Sequence, residues 1–320
     1  MSTRDPRRIA AVVVIWAALL AVPWWLPFVG GYTALGSKVL IYAIATMGLN
    51  LLLGFTGVLS FGHAAYFGLG AYGAGLTLRY LVHSTSLAML AGILLGGLAG
   101  TLFGALIVRR RGVYFAMCTI AFGQIWYYIA YSWNDFTGGF DGLRDFHREP
   151  IGFGPLTFDI TRGETRFYYF LLVIFAVSVA LMGLLLRSPF GRTLLAIREN
   201  ERRARFLGIP VERHIWLSFA ISTFFTALAG TLYALLNNFA DPLSLHYSLS
   251  GYFVVMTVIG GMRTFWGPLV GAAMFVLLQD YISSMTVNWM FFIGAIFMLV
   301  VLFFPRGLLG MRRAAKTQGS

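Results

Sequence analysis

The chain has 320 residues, of which 58% are hydrophobic and only 11% charged. A soluble domain carries about 25% charged residues, so this composition excludes one and points to a protein that crosses a membrane many times. The net charge of +12 does not indicate nucleic acid, because the basic residues mark the ends of apolar runs instead of forming one face.

Recurring apolar runs of about 20 residues fit membrane-spanning helices. The expected fold class is therefore all-α, a polytopic helical bundle of about ten spans in one transmembrane domain. Residues 1–8 form a basic leader with Arg4, Arg7 and Arg8, and the apolar run Ile9–Val29 follows, with Trp24 and Trp25 as interface anchors. This run is too long for a secretory signal, and Ala34-Leu35-Gly36 is a poor cleavage site, so a retained span is expected. A second span covers about Lys38–Leu53 and a third runs to about Val82. Between and within them Gly48–Gly75 mixes glycines with the lone polar residues Asn50, Thr56, Ser60 and His63. The fourth span, Leu87–Val108, carries Gly92, Gly96, Gly100 and Gly104. Glycine at every fourth residue makes one flat stripe for close helix packing.

The fifth span, Val113–Trp133, completes a first half over 9–133 and contains Cys118, the single cysteine, expected as a small core residue. Residues 134–166 are the longest polar stretch and are expected outside. The second half, 167–305, begins with the sixth span, Phe167–Leu186. A basic loop, 187–214, carries Arg187, Arg192, Arg198, Arg202, Arg203, Arg205 and Arg213. Within it Ser188-Pro189 reads as N-cap and first helical residue, and Gly208 with Pro210 as a stop. One short amphipathic helix is expected between them. Glu199/Arg203 and Glu201/Arg205 would be i,i+4 pairs on its wet face, with Ile197, Ala204 and Leu207 on another side. Spans seven to ten are Ile215–Asn237, a segment within Leu245–Gly261, Leu269–Ile282 and Trp289–Phe304, with Arg263 in a break between the eighth and ninth. A basic tail occupies 306–320.

Ten spans put both termini on one side. Lys38, Arg79, Arg144, Arg148, Arg162 and Arg166 fall outside and all other Lys and Arg inside, which places the termini in the cytoplasm. Five spans per half would give two halves of opposite orientation, a common transporter plan, and the hydropathy permits it.

No nucleophile–base motif, metal-binding cluster or phosphate-binding glycine loop is present, and the only lysines are Lys38 and Lys316. The chain is expected to be non-catalytic, with no cofactor of its own. Asp280 is the one carboxylate within the spans, which argues against an ion-coupled carrier. Two readings of Gly48–Gly75 stay open: a broken backbone beside a translocation path touched by Asn50, Thr56, Ser60 and His63, or close packing with a hydrogen-bonded histidine. The basic loop likewise reads either as a topology signal or as a docking element.

GLNLLLGFTGVLSFGHAAYFGLGAYGAG (Gly48–Gly75), TGGFDGL (Thr137–Leu143), SPFGRTLLAIRENERRARFLGI (Ser188–Ile209), Ala227-Leu228-Ala229-Gly230 and GGMRTFWGPLVGA (Gly260–Ala272) occur in that order. Together they resemble the LivM-type permeases of branched-chain amino acid ABC importers. The resemblance implies the ABC importer permease fold and a bacterial inner-membrane location. It implies a second, LivH-type permease subunit and a periplasmic substrate-binding protein. It also implies two cytoplasmic ATPase subunits, which use ATP and Mg. The substrate would be a branched-chain or similar small amino acid, with relatives for urea, amides or small organic acids looking alike. Arg198, Glu199, Arg202, Ala204 and Gly208 would then belong to the loop that couples to an ATPase. Arg203 stands where such loops commonly hold a small residue. Membrane lipid is an implied partner and nucleic acid is not.

Overall fold

The computed structural model describes residues 6–153, 156–161, 163–303 and 307–309. Arg4, Arg162, Arg306 and the tail cations Arg312, Arg313 and Lys316 lie outside the described residues.

Each expected apolar segment contains a helix. Helix α1 is Pro6–Leu20. Helix α2, Thr33–Asn50, continues into a π-helical turn, Leu51–Thr56. Helix α3, His63–Leu76, ends in a second π turn, Thr77–Leu81. Helices α4, Thr85–Ile107, and α5, Val113–Ser132, follow. The polar stretch holds a small two-stranded ribbon, in which β1 (Ile151–Phe153) pairs antiparallel with β2 (Leu156–Phe158). This departs from an all-helical chain; the β-branched and aromatic residues of that stretch suit strands. Then come α6, Glu164–Arg187; α7, Pro189–Glu199; α8, Glu201–Phe206; and α9, Val211–Asn237. Helices α10, Tyr247–Gly260, α11, Gly267–Met285, and α12, Trp289–Phe303, complete the bundle.

Six of these are long and apolar enough to cross a membrane: α2 with its π turn, α4, α5, α6, α9 and α11. By contrast α1, α3, α10 and α12 have only 15, 14, 14 and 15 residues, short of the ~20 that a perpendicular span needs.

Burial orders the bundle. The apolar window of α2 is 83% buried and that of α9 is 67%, against 28% for α5, α6 and α11. Helix α9 is the hub, packed on α2, α3 and α4, and α11 packs on α2 and α10. Such close approach needs small residues. A Cβ on Gly48 would stand 2.8 Å from the Ser222 carbonyl oxygen, and one on Gly96 would stand 2.6 Å from the Ala227 Cβ and 2.7 Å from the Tyr66 carbonyl oxygen. Gly92 faces Gly70 and Thr231, Gly100 faces Thr223, and Gly104 faces Phe219. The stripe on α4 thus lies against α3 and α9. Cys118 is half-buried and packs on the core.

The hydroxyls on α9 are buried and hydrogen-bonded. Ser218, Thr223 and Thr226 donate to carbonyls one turn back at 2.8–2.9 Å. Ser222 and Thr231 reach across to the carbonyls of Gly48 (2.6 Å) and Gly70 (3.1 Å). Bonds of this kind tie helices together where no hydrophobic force distinguishes protein from lipid. Gly100→Leu would drive a side chain into Thr223, an overpacking that costs roughly 1–3 kcal/mol. The expected result is a lower melting temperature and less folded protein in the membrane; unchanged values would mean that the α4–α9 seam can open freely.

Candidate functional site

Two neighbouring features carry the chemistry: a break in the helical backbone at 57–62 and the α7–α8 hairpin below it. At the break, Thr56 Oγ1 donates back to the Leu51 carbonyl (2.9 Å), and Gly57 takes φ +84 to turn the chain out of the π turn. Freed amides are then met by side chains from elsewhere. Phe61 N–H donates to Thr119 Oγ1 on α5 (3.1 Å), and Ala64 N–H donates to Ser250 Oγ on α10 (2.7 Å). The His63 ring lies between Ser60 Oγ, 2.9 Å from Nδ1, and Ser222 Oγ, 2.7 Å from Nε2. Ser222 gives its only hydroxyl proton to the Gly48 carbonyl. It must therefore accept from His63 Nε2–H, leaving Nδ1 to accept from Ser60.

The basic loop differs from the expected single helix. Ser188 does cap α7, its Oγ accepting from Gly191 N–H (3.4 Å). The helix stops at Asn200, which is extended (φ −158, ψ 98), and α8 starts afresh with Asn200 Oδ1 accepting from Arg203 N–H (2.9 Å). Asn prefers such a cap to a helix interior. The break separates Glu199 from Arg203, so that expected pair is not made; Glu199 Oε1 stands 3.6 Å from Arg263 Nη2 instead. Glu201–Arg205 is made at 2.8 Å, and Glu201 also binds Arg111 in the loop between α4 and α5 (3.0 Å). Gly208 has φ +79, as a left-handed stop requires.

Ile197 and Ala204 are buried with Val108, Val211 and Ile215, which seats the hairpin on the bundle. Leu207 does not join them. It lies beyond the end of α8 and is 74% exposed, beside Phe206 at 91%. The hairpin therefore presents an apolar tip among the exposed Arg202, Arg203 and Arg205. Arg198 is half-buried, its stem over Gly57, and Nη1 donates to the Leu53 carbonyl (3.2 Å). Burial, and then the nearby Arg263 charge, lower its pKa from the ordinary arginine value.

A family model described as "Branched-chain amino acid transport system / permease component" matches residues 31–301, most of the chain and all of the features above. The chain belongs to that family. It is 28% identical over 317 residues to the high-affinity branched-chain amino acid transport system permease protein LivM of Escherichia coli K12, covering 92% of this chain and 74% of the relative. It is 22% identical to the probable branched-chain amino acid transport permease protein LivM of Methanocaldococcus jannaschii, covering 84% and 90%. It is also 28% identical to the L-arabinose ABC transporter permease protein AraH of Azospirillum brasilense, covering 71% and 66%. No solved structure matches.

In this permease the four polar residues of the Gly48–Gly75 stretch are buried: Asn50 at 2%, Thr56 at 3%, and Ser60 and His63 at 0%. Ser60 and His63 are brought together, Thr56 binds its own helix, and Asn50 Nδ2 donates to the Thr264 carbonyl (3.0 Å). Thr119, Ser222 and Ser250 complete the break; a hydroxyl within an apolar run is the only signal the sequence carries for them, and it marks Thr119 alone among the few polar groups inside the spans. The Phe206–Leu207 tip was hidden by helical periodicity.

Removing a buried hydrogen-bond partner costs roughly 1–3 kcal/mol. His63→Leu is accordingly expected to lower the melting temperature of the purified permease with or without substrate, and Ser222→Ala to do so less. Unchanged stability together with altered substrate selectivity would place His63 on the substrate's route instead.

Proposed function

We propose that this chain is the non-catalytic half of the membrane pathway of an ATP-driven importer for branched-chain or similar small amino acids. A LivH-type permease supplies the other half, a periplasmic binding protein delivers the substrate, and two cytoplasmic ATPase subunits use ATP and Mg. The site is the bacterial inner membrane, with both termini cytoplasmic. The ten apolar helices span it as two five-helix halves of opposite orientation, the short helices α1, α3, α10 and α12 crossing with the aid of their flanking turns. Substrate class rests on the LivM relatives; the arabinose relative keeps a sugar as the second reading within the same family.

The observation that carries the docking role is the α7–α8 hairpin. Its inner face is packed, Glu201 ties it to Arg111 in the α4–α5 loop, and its tip exposes two large apolar side chains rimmed by arginines. That arrangement suits an ATPase cleft with an apolar floor and acidic rim. Arg202, Ala204 and Gly208 belong to the docking element, Ala204 seating it and Gly208 ending it, while Arg198 and Glu199 join it to the bundle through the Leu53 carbonyl and Arg263. ATP acts on the permease only through contacts that differ between its inward- and outward-facing states, and the hairpin is where they are made. The alternative, an ion-coupled carrier, has less support: among the described residues the carboxylates of the spanning helices are Glu164 and Glu212 in the first turns of α6 and α9 and Asp280 in the last two turns of α11, which accepts a hydrogen bond from Tyr32 (3.0 Å).

A large apolar anchor at the centre of an interface is worth roughly 2–4 kcal/mol. Phe206→Asp should leave the permease inserted, strip the ATPase subunits from it on purification and abolish uptake. Glu164→Lys, on the opposite end of the bundle, should leave ATPase association intact. Retained association in Phe206→Asp would show that the tip does not dock.

A further inference from the structure

Beside the hairpin, three segments far apart in sequence meet, and the docking role alone does not account for how. The π-helical end of α2 supplies Leu53, Gly54 and Gly57. The end of α7 supplies Arg198 and Glu199. The turn between α10 and α11 supplies Arg263 and Thr264. Arg198 Nη1 donates to the Leu53 carbonyl, and its Cγ stands 2.9 Å from where a Cβ on Gly57 would be. Glu199 reaches Arg263 at 3.6 Å. The Arg263 backbone N–H side closes the triangle, 3.0 Å from where a Cβ on Gly54 would be, and Asn50 donates to the Thr264 carbonyl.

Two features of this junction are unfavourable as they stand. Arg263 has φ +68, a left-handed conformation that costs energy for a residue with a side chain. Asn50 Oδ1 is buried with no hydrogen-bond partner among the described residues, which is costly in an apolar setting. Arg198 and Arg263 also repel each other, with Glu199 between them. An exposed ion pair at this distance adds little stability, so it does not explain why the strained turn is held. The turn nonetheless touches α7 through Glu199 and the end of α2 through Asn50, so a shift of either element changes its surroundings.

We propose that Arg198, Glu199 and Arg263 form a latch between the docking hairpin and the two discontinuous parts of the bundle, the broken end of α2 and the α10–α11 turn. A displacement of α7 is passed through Arg198 to the π turn and through Glu199 to the α10–α11 turn. These are positioning residues, each acting through a contact with the backbone or side chains of the bundle. Glu199 thus acts within this chain instead of on the ATPase surface. The inference rests on the docking role of α7–α8, but the two are separable by experiment.

The test is a charge exchange in the assembled transporter, with its second permease, ATPase subunits and binding protein in liposomes. Uptake, ATP turnover and ATPase co-purification are read together. Glu199→Arg should keep the ATPase subunits bound and turning over ATP, while substrate moved per ATP falls about tenfold, within the usual range of coupling between sites. Glu199→Arg with Arg263→Glu should recover most of that loss. Arg263→Gly relaxes the left-handed turn without threatening the fold, and should also lower substrate moved per ATP. Loss of ATPase co-purification in Glu199→Arg, not regained in the exchanged pair, would assign Glu199 to the ATPase and overturn the latch while leaving docking intact. So would full coupling in Arg263→Gly, or in Glu199→Arg. If Glu199→Arg fails to insert, the Arg263→Gly coupling ratio alone decides.

Discussion

A backbone amide in a membrane has no water to bind, so every interruption of a helix must be satisfied by the protein itself. That constraint organises this structure around residues 57–62. The chain leaves helical geometry at Gly57, and the groups it frees are claimed by Thr119 of α5, Ser250 of α10 and the Ser60–His63–Ser222 chain that ends on the Gly48 carbonyl. Five helices, α2, α3, α5, α9 and α10, are thereby fixed around one irregular segment. The break can exist only because α9 lies close enough to lend Ser222, and α9 lies that close only because Gly48, Gly70, Gly96 and Gly230 leave room for its backbone.

The same segment faces the hairpin that this permease is proposed to offer an ATPase. Continuous helices would pass a push along their length as rigid rods. A helix that ends in a π turn and a left-handed glycine can instead tilt at its end while its buried part stays packed. The tight seam between α4, α3 and α9, and the irregular junction of α2, α7 and the α10–α11 turn, are complementary: one supplies a fixed frame and the other the part able to respond.

Much of this was legible in the residues. Apolar length located the helices, and glycine at every fourth position of α4 announced a packing stripe because that spacing projects onto one line. Ser188-Pro189 and Gly208 were legible because caps depend on local backbone geometry. The mixture of glycine and lone polar residues in Gly48–Gly75 left open a broken backbone or close packing with a hydrogen-bonded histidine, and the structure has a break at Gly57 and a His63 bonded to Ser60 and Ser222. What stayed hidden was non-local. Nothing near Phe61 or Ala64 says that hydroxyls from α5 and α10 will meet their amides. Asn200 was read through because Glu199/Arg203 fits helical charge spacing, yet its side chain caps a new helix and sends Glu199 to Arg263. Leu207 fitted the buried periodicity but falls after the helix has ended. The ribbon at Ile151–Phe158 was masked by the expectation that a polar connection between helices lacks strands.

The central claim is that this permease holds no engine and is driven through its hairpin by ATP hydrolysed elsewhere. The most direct measurement is uptake of a radiolabelled branched-chain amino acid into liposomes. One set contains this chain with its second permease alone. The other adds the ATPase subunits inside and the binding protein outside. The account predicts uptake only in the second set and only with ATP and Mg, whatever proton or sodium gradient is imposed. Gradient-driven accumulation by the permease subunits alone would contradict it.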